Sequence, residues 1–194
     1  MKRLPRNLFK GTAWYYARHR PPYPTQFFTY LARTFRLGGQ GRLLDLGCGT
    51  GELLLPLAKY FSEAIGVDPD REMIQEAKRK AKRAGVRNAR WIVGKAEDTI
   101  PRLKPVRLLV MGRSFHWMDR RLVLRGLDAV VTPSGGVVVV AEHGVGQPPA
   151  WRTAIQGVIE RYLGKRRRAG CGFYRKPNGR HEAVLTRSAF SRIR

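Results

Sequence analysis

The run Leu43-Leu44-Asp45-Leu46-Gly47-Cys48-Gly49-Thr50-Gly51-Glu52 constrains this chain more than any other stretch. An apolar strand over Arg42 to Leu46, with a carboxylate near its end, passes into a loop with glycine at every second position. Alternate glycines let the backbone take positive φ and come close to a bound molecule. The helix expected to start near Thr50 points its unpaired N–H groups back at that molecule. Such a loop alone suits a structural role equally well. Asp68 tips the balance, because it closes a second apolar segment, Ala64 to Val67, about 20 residues on, the distance at which a carboxylate accepts hydrogen bonds from ribose hydroxyls. Loop and acid together read as a site for a nucleoside-containing cofactor. A dinucleotide fingerprint, G-x-G-x-x-G, needs glycine at 52, where this chain has Glu52.

The rest of the chain alternates helical and strand patterns: Thr25 to Phe35, the first strand, Glu52 to Phe61, the second strand, Arg71 to Ala84, a strand near Ala89 to Val93, and a short helix near Glu97. A strand at Arg107 to Met111, a helix from Asp119 to Val130, a strand at Gly136 to Ala141 and a helix from Pro149 to Leu163 follow. Alternation of this kind predicts an α/β fold with a parallel sheet and crossover helices. In the helix over Arg71 to Ala84, Asp70 is the expected cap, Met73, Ile74, Ala77, Ala81 and Ala84 share one face, Glu76 and Lys80 pair, and Gly85 ends it. Ligands in such open sheets sit beyond the carboxyl ends of the strands, where Gly47–Gly51, Asp68, Ala96 and Gly112–His116 all fall.

The D-x-G-x-G-x-G run resembles the first motif of the class I S-adenosylmethionine-dependent methyltransferases. That resemblance implies a Rossmann-like doubly wound, mostly parallel sheet of order 3-2-1-4-5 and S-adenosyl-L-methionine as cofactor. It further implies that Asp45 and the loop Gly47, Cys48, Gly49 and Gly51 hold the methionine part, and that Asp68, followed by Pro69, takes the ribose hydroxyls. Glu97 or Asp98, with the backbone around Ala96, would meet the adenine; acids in the first turn of a helix are the plain alternative. Two more segments are similar to the trans-aconitate methyltransferase-like, small-molecule branch. They are the lead Tyr16-Ala-Arg-His-Arg20-Pro21-Pro22-Tyr23-Pro24 and the run Met111-Gly112-Arg113-Ser114-Phe115-His116-Trp117-Met118-Asp119. In those relatives the lead caps the cofactor cleft, which casts Tyr16, Arg20 and Tyr23 as cap residues and places Arg113 beside the cofactor. His116 is the candidate for proton transfer or acceptor positioning and Trp117 for the acceptor wall, against packing roles for both. A sulfonium methyl needs alignment and water exclusion, so a base is required only for a hydroxyl or carbon acid.

Net charge is +24, and it is uneven. Residues 1–40 carry eight basic and no acidic side chains, residues 41–149 eighteen against twelve, and residues 150–194 twelve against two. Three readings stand: a nucleic-acid partner meeting Lys165-Arg166-Arg167-Arg168, Phe173, Tyr174, Arg175 and Lys176; an anionic small substrate drawn to Arg20 and Arg113; and an arginine-rich solvated surface. The expected organisation is a basic cap over 1–40, a cofactor-binding core over 41–163 and a basic tail over 164–194. Cys48, Cys171 and four scattered histidines give neither a disulfide framework nor metal-ligand spacing. With no secretory core and no apolar run approaching 18 residues, a reduced cytoplasmic protein without a membrane partner is expected, its oligomeric state unspecified. No N-P-P-Y-like tetrad follows the fourth strand, which argues against amino-group chemistry on adenine. Relatives begin the fourth strand with an acid where this chain has Arg107. They complete the sheet with an antiparallel hairpin that is expected to be incomplete here, Ser188-Ala189-Phe190 being its approach. The reading is methyl transfer from S-adenosylmethionine to a small molecule, with an RNA methyltransferase and a cofactor-binding protein without turnover as alternatives.

Overall fold

Five parallel strands carry the architecture: β1 (Arg42–Leu46), β2 (Glu63–Asp68), β3 (Ala89–Val93), β4 (Val106–Gly112) and β5 (Val131–Val140). The computed structural model describes residues 10–141, 150–165, 168–169, 172–173 and 181–190. Strand order is β3-β2-β1-β4-β5, the doubly wound order the family resemblance implied. The strands β1 and β4 lie inside the sheet and are buried on both faces, which explains their near-continuous apolar runs.

Side chains alternate across the sheet as a period of two requires. Leu43, Ala64, Leu108 and Val110 face α2 (Thr25–Thr34) and α3 (Leu54–Leu57). Leu44, Leu46, Leu109 and Met111 face α5 (Ala96–Thr99) and α6 (Arg120–Asp128). α1 (Ala13–His19) precedes them and packs on α4 (Arg71–Arg83). In α4 the Asp70 carboxylate accepts from the N–H groups of Glu72 and Met73 at 2.8 and 3.3 Å, and Met73, Ile74, Ala77 and Ala81 are buried.

Several expectations are corrected. The helix after the glycine loop starts at Leu54, not Thr50, because Gly51 has φ +86°, outside the right-handed helical region; a 3₁₀ turn at Ala58–Tyr60 completes it. Glu76 pairs with Arg79 rather than Lys80, whose ammonium reaches Glu52. A tertiary partner outcompetes the local one. The fifth strand begins at Val131, not Gly136: Val131 pairs with Val106 and Gly136 with Leu108, so the extra residues between them loop out. Gly136 is needed because the Phe35 ring lies 2.3 Å from where its Cβ would stand. Arg107 replaces an acid without leaving its charge idle, since Nη2 donates to the Phe35 carbonyl at 2.7 Å, at the end of α2.

The chain continues through α7 (Ala150–Leu163), a two-residue antiparallel pair β6 (Arg168–Ala169) and β7 (Gly172–Phe173), and α8 (His181–Leu185). The pair forms its own sheet, and among the described residues the main sheet ends at β5. Ser188-Ala189-Phe190 lies in a turn, and Phe190 packs with Val184 and Leu185 against the core cluster that holds Phe115 and Val123. Arg166, Arg167, Tyr174, Arg175 and Lys176 of the expected tail surface lie outside the described residues, as do Pro149 and Cys171. Among the described residues no helix is long and apolar enough to cross a membrane. No group of three or more His, Cys, Asp or Glu side chains there could hold a metal ion.

Candidate functional site

Parallel pairing brings the carboxyl ends of β1, β2 and β4 together, and the loops leaving them form one cleft. The loop after β1 turns over the end of β2: the N–H groups of Gly47 and Cys48 both donate to the Val67 carbonyl, at 2.8 and 3.0 Å. Gly47, Gly49 and Gly51 have φ of +68°, +52° and +86°. At Gly47 no other residue fits, because a Cβ would lie 2.5 Å from that of Ser114, whose hydroxyl donates to the Leu46 carbonyl at 2.6 Å.

Asp68 pins this loop. Its Oδ2 accepts from Gly49 N–H and its Oδ1 from Asp70 N–H, both at 2.9 Å. Its backbone carbonyl accepts from Gly94 N–H at 3.0 Å, which holds the segment entering Ala96 alongside. Asp45, 2% exposed, keeps Oδ2 without a hydrogen-bond partner. Burial, with the charge of Asp68 adding to it, pushes the Asp45 carboxyl up to about 8, and burial pushes Asp68 up to about 6. Burial raises the Cys48 thiol as well, so it is a buried packing group against Gly66, not a reactive thiolate.

The α1 segment closes the cleft from above. Tyr16, Arg20, Tyr23, Asp45, Gly47, Cys48, Gly49, Glu52, Leu53, Gly112 and Arg113 enclose only about 20 Å³ of free space. The guanidinium of Arg20 sits 5.2 Å from the Tyr16 ring and that of Arg113 4.7 Å from the Tyr23 ring. Arg20 Nε is buried without a partner. Arg113 has φ +55°, an uncommon conformation for a residue with a side chain, and its N–H donates to Val140 at 2.7 Å. Burial raises both tyrosine hydroxyls, Tyr23 to about 12, so they stay protonated donors.

Other expected residues lie elsewhere. Glu97 Oε1 accepts from Asp119 N–H at 2.8 Å and thereby anchors the start of α6, and Asp98 is exposed. Ala96 is buried; Pro69 is exposed. His116 and Trp117 occupy a 3₁₀ turn, Phe115–Trp117, with their rings 4.7 Å apart. The His181 ring of α8 lies 6.5 Å from His116 and 5.2 Å from Phe115. Its Nδ1 is 3.4 Å from Arg120 Nη1; an arginine only donates, so Nδ1 is the acceptor. No sequence signal links His181 to a turn some sixty residues earlier. Glu52 and Leu53 also escaped notice as lining residues, although their place after the third loop glycine made them candidates.

With this geometry in view, residues 43–135 match the family model described as a methyltransferase domain. These residues are a class I methyltransferase domain. An uncharacterized RNA methyltransferase of Thermosynechococcus vestitus is 38% identical over 94 residues, covering 48% of this chain and 20% of the relative. The uncharacterized methyltransferase YcgJ of Bacillus subtilis is 29% identical over 120 residues, 61% of this chain and 47% of YcgJ. The YcgJ crystal structure aligns with a TM-score of 0.55 over 71% of this chain and 58% of that one. A Thiobacillus denitrificans S-adenosylmethionine-dependent methyltransferase, solved with S-adenosyl-L-homocysteine, shares the fold at a TM-score of 0.57 and 22% identity, over 81% of this chain and 63% of that one. The chain spans 15% to 51% of the length of the curated relatives it matches. In the methyltransferase domain itself, the glycine loop, Asp45, Asp68 and the start of the β4–α6 turn are brought together, whereas Glu97 and Asp98 are not brought to the cleft that Asp45 lines.

Proposed function

We propose that this domain binds S-adenosyl-L-methionine and directs its methyl group to a small-molecule acceptor. One observation carries the reading: Asp45 Oδ2 and Arg20 Nε, a buried acceptor and a buried donor, both lack partners and both line the same cleft. Such atoms are costly to leave unpaired, and together they suit the ammonium and carboxylate of an amino acid. Asp68 accepts one hydrogen bond at each oxygen and has lone pairs left for ribose hydroxyls. Cys48 and Pro69 contribute backbone to the same wall. The backbone at Ala96, held beside Asp68, is the adenine-side contact, with Glu97 engaged at α6.

Bound there, the cofactor supplies a methyl group already activated as a sulfonium. The chain's own task is alignment and exclusion of water. Tyr16, Arg20 and Tyr23 perform the exclusion, and with so little free space among them they move apart to admit a ligand. Arg113 closes the β4 side. His116 and Trp117 stand on the acceptor side of the core over 41–163. The imidazole of His116 positions the acceptor and takes its proton where that acceptor is a hydroxyl or carbon acid. The tail over 164–194 adds α8 behind this turn.

RNA is the second reading for the acceptor, favoured by the RNA methyltransferases among the relatives and by the net charge of +24. Calorimetry with S-adenosylmethionine, S-adenosylhomocysteine and NAD tests the cofactor: NAD binding with no response to the other two would sink the proposal. Asp68→Ala should weaken cofactor binding, and an unchanged dissociation constant refutes the ribose role. Labelled methyl transfer to a metabolite extract and to RNA in parallel tests the acceptor. Label in RNA alone replaces the small-molecule reading, and cofactor binding without label in either marks a binding protein without turnover.

A further inference from the structure

The core's entire charge excess lies on one edge of the sheet. Residues 41–149 carry a net +6; residues 71–90 alone, with eight basic and two acidic side chains, carry the same +6, so the rest of the core is balanced. Neither acid is paired with Lys78, Lys82 or Arg87. Glu72 Oε2 accepts from Gly11 N–H at 2.7 Å, and Glu76 is 6% exposed and paired with Arg79. Arg71, Lys78, Lys82, Arg83, Arg87 and Arg90 are exposed.

These cations surround a groove of about 450 Å³ between α4 and β3, lined by Lys78, Lys82, Arg87 and Trp91 with the small residues between them. Lys78 and Lys82 are four apart on the helix and share a face. Trp91 is fixed from behind, its ring lying 2.7 Å from a Cβ position at Gly66 and 3.3 Å from one at Gly51. The groove thus has a rigid aromatic floor and cationic walls. Because β3 is the outermost strand, no further strand of the sheet covers this edge.

We propose that this α4–β3 edge binds single-stranded RNA, with phosphates tracked by Lys78, Lys82 and Arg87 and an unpaired base stacked on Trp91. Cations arranged around a fixed aromatic ring match a polyanion that exposes π-faces. An acidic protein would satisfy the cations and leave the ring unused; a duplex would satisfy the phosphate contacts and hide its bases. The surface lies apart from the acceptor turn and holds whichever acceptor the cleft takes.

The test is fluorescence anisotropy of the full chain with a labelled mixed-sequence RNA of roughly 20 nucleotides, enough to exceed one single-strand site, across a salt series. The triple variant Lys78→Gln, Lys82→Gln, Arg87→Gln should bind about 100-fold more weakly at 0.1 M salt, and its log–log salt slope should fall by about 2, the values for three lost single-strand phosphate contacts. A control of equal charge, Arg102→Gln, Lys104→Gln, Arg125→Gln, lies across the sheet and should keep the wild-type slope. Circular dichroism and cofactor titration of the first variant should match the wild type, which separates this surface from the cofactor cleft. Equal losses in both triples, a loss in neither, no RNA binding by the wild type, or tighter binding of a duplex than of the single strand would each overturn the proposal. Loss of cofactor binding in the wild type would refute the proposed function without touching this result.

Discussion

Asp45 gives the sharpest quantitative test. Its carboxyl is buried, has one oxygen without a partner, and titrates near 8 in the fold against 3.8 in the unfolded chain. The folded state therefore holds this proton where the unfolded state has released it, so stability is fully present at low pH and is lost as pH rises through that interval. At about 1.4 kcal/mol per unit, the loss between pH 4 and pH 7 is about 4 kcal/mol for an independent group. Asp68, raised to about 6 in the same cleft, adds its own loss over the same interval, and that part is common to the wild type and to an Asp45 variant. Asp45→Asn has nearly the same shape and no charge to bury. Thermal melts without cofactor should then agree near pH 4 and separate by about 8–16 °C at pH 7, the variant melting higher, given ~2–4 °C per kcal/mol for a chain of this size. The same variant should bind S-adenosylmethionine at least tenfold more weakly. In the wild type, binding should tighten from pH 6 to pH 8, with proton release visible as a calorimetric enthalpy that depends on the buffer. Parallel melting curves, or tighter binding at lower pH, would refute the reasoning.

Three further changes test the frame around the cleft. Asp70→Ala removes the cap of α4 and should cost about 1 kcal/mol in chemical denaturation, with no change in slope. Arg107→Met keeps the stem of the side chain but removes its bond to the Phe35 carbonyl, so a loss of about 1–2 kcal/mol is expected; a neutral result would show that the bond to α2 contributes nothing. Gly47→Ala meets both a left-handed backbone and a Ser114 Cβ 2.5 Å away and should cost about 3 kcal/mol or more; a denaturation midpoint within error of the wild type would exclude that clash.

Much of the fold was legible because its causes are local. Continuous apolar strands separated by helical stretches leave few ways to build a sheet, and the glycines with Asp45 and Asp68 mark strand ends by residue type alone. What escaped the sequence reading depends on distant partners. Glu97 was read, with Asp98 as the alternative, as a cofactor contact; that its Oε1 also anchors the N-terminus of α6 is visible only once Asp119 is placed beside it. Lys80 leaves Glu76 for Glu52, twenty-eight residues away along the chain. The early start of β5 depends on β4 reaching Val131 before the looped residues, and His181 reaches His116 only through the packing of α8. The charge total was plain in the sequence, but its meaning in the core depended on which acids are already engaged.

The same burial that raises Asp45 also bears on which ligand the cleft selects. Two carboxyls, both pushed up by burial, share a water-poor space with the positive-φ glycine loop. A dinucleotide would bring its pyrophosphate toward this pair and find a carboxyl that must stay protonated to tolerate it. A ligand carrying an ammonium and a sulfonium does the opposite: its charge lowers the cost of ionising Asp45, and its carboxylate meets the unpartnered donor of Arg20. The absence of a third dinucleotide-type glycine at Glu52 and the electrostatics of the cleft are separate physical facts, one steric and one coulombic. Both favour a cationic nucleoside over a dinucleotide, so restoring glycine at position 52 should not by itself produce NAD binding while Asp45 and Asp68 remain.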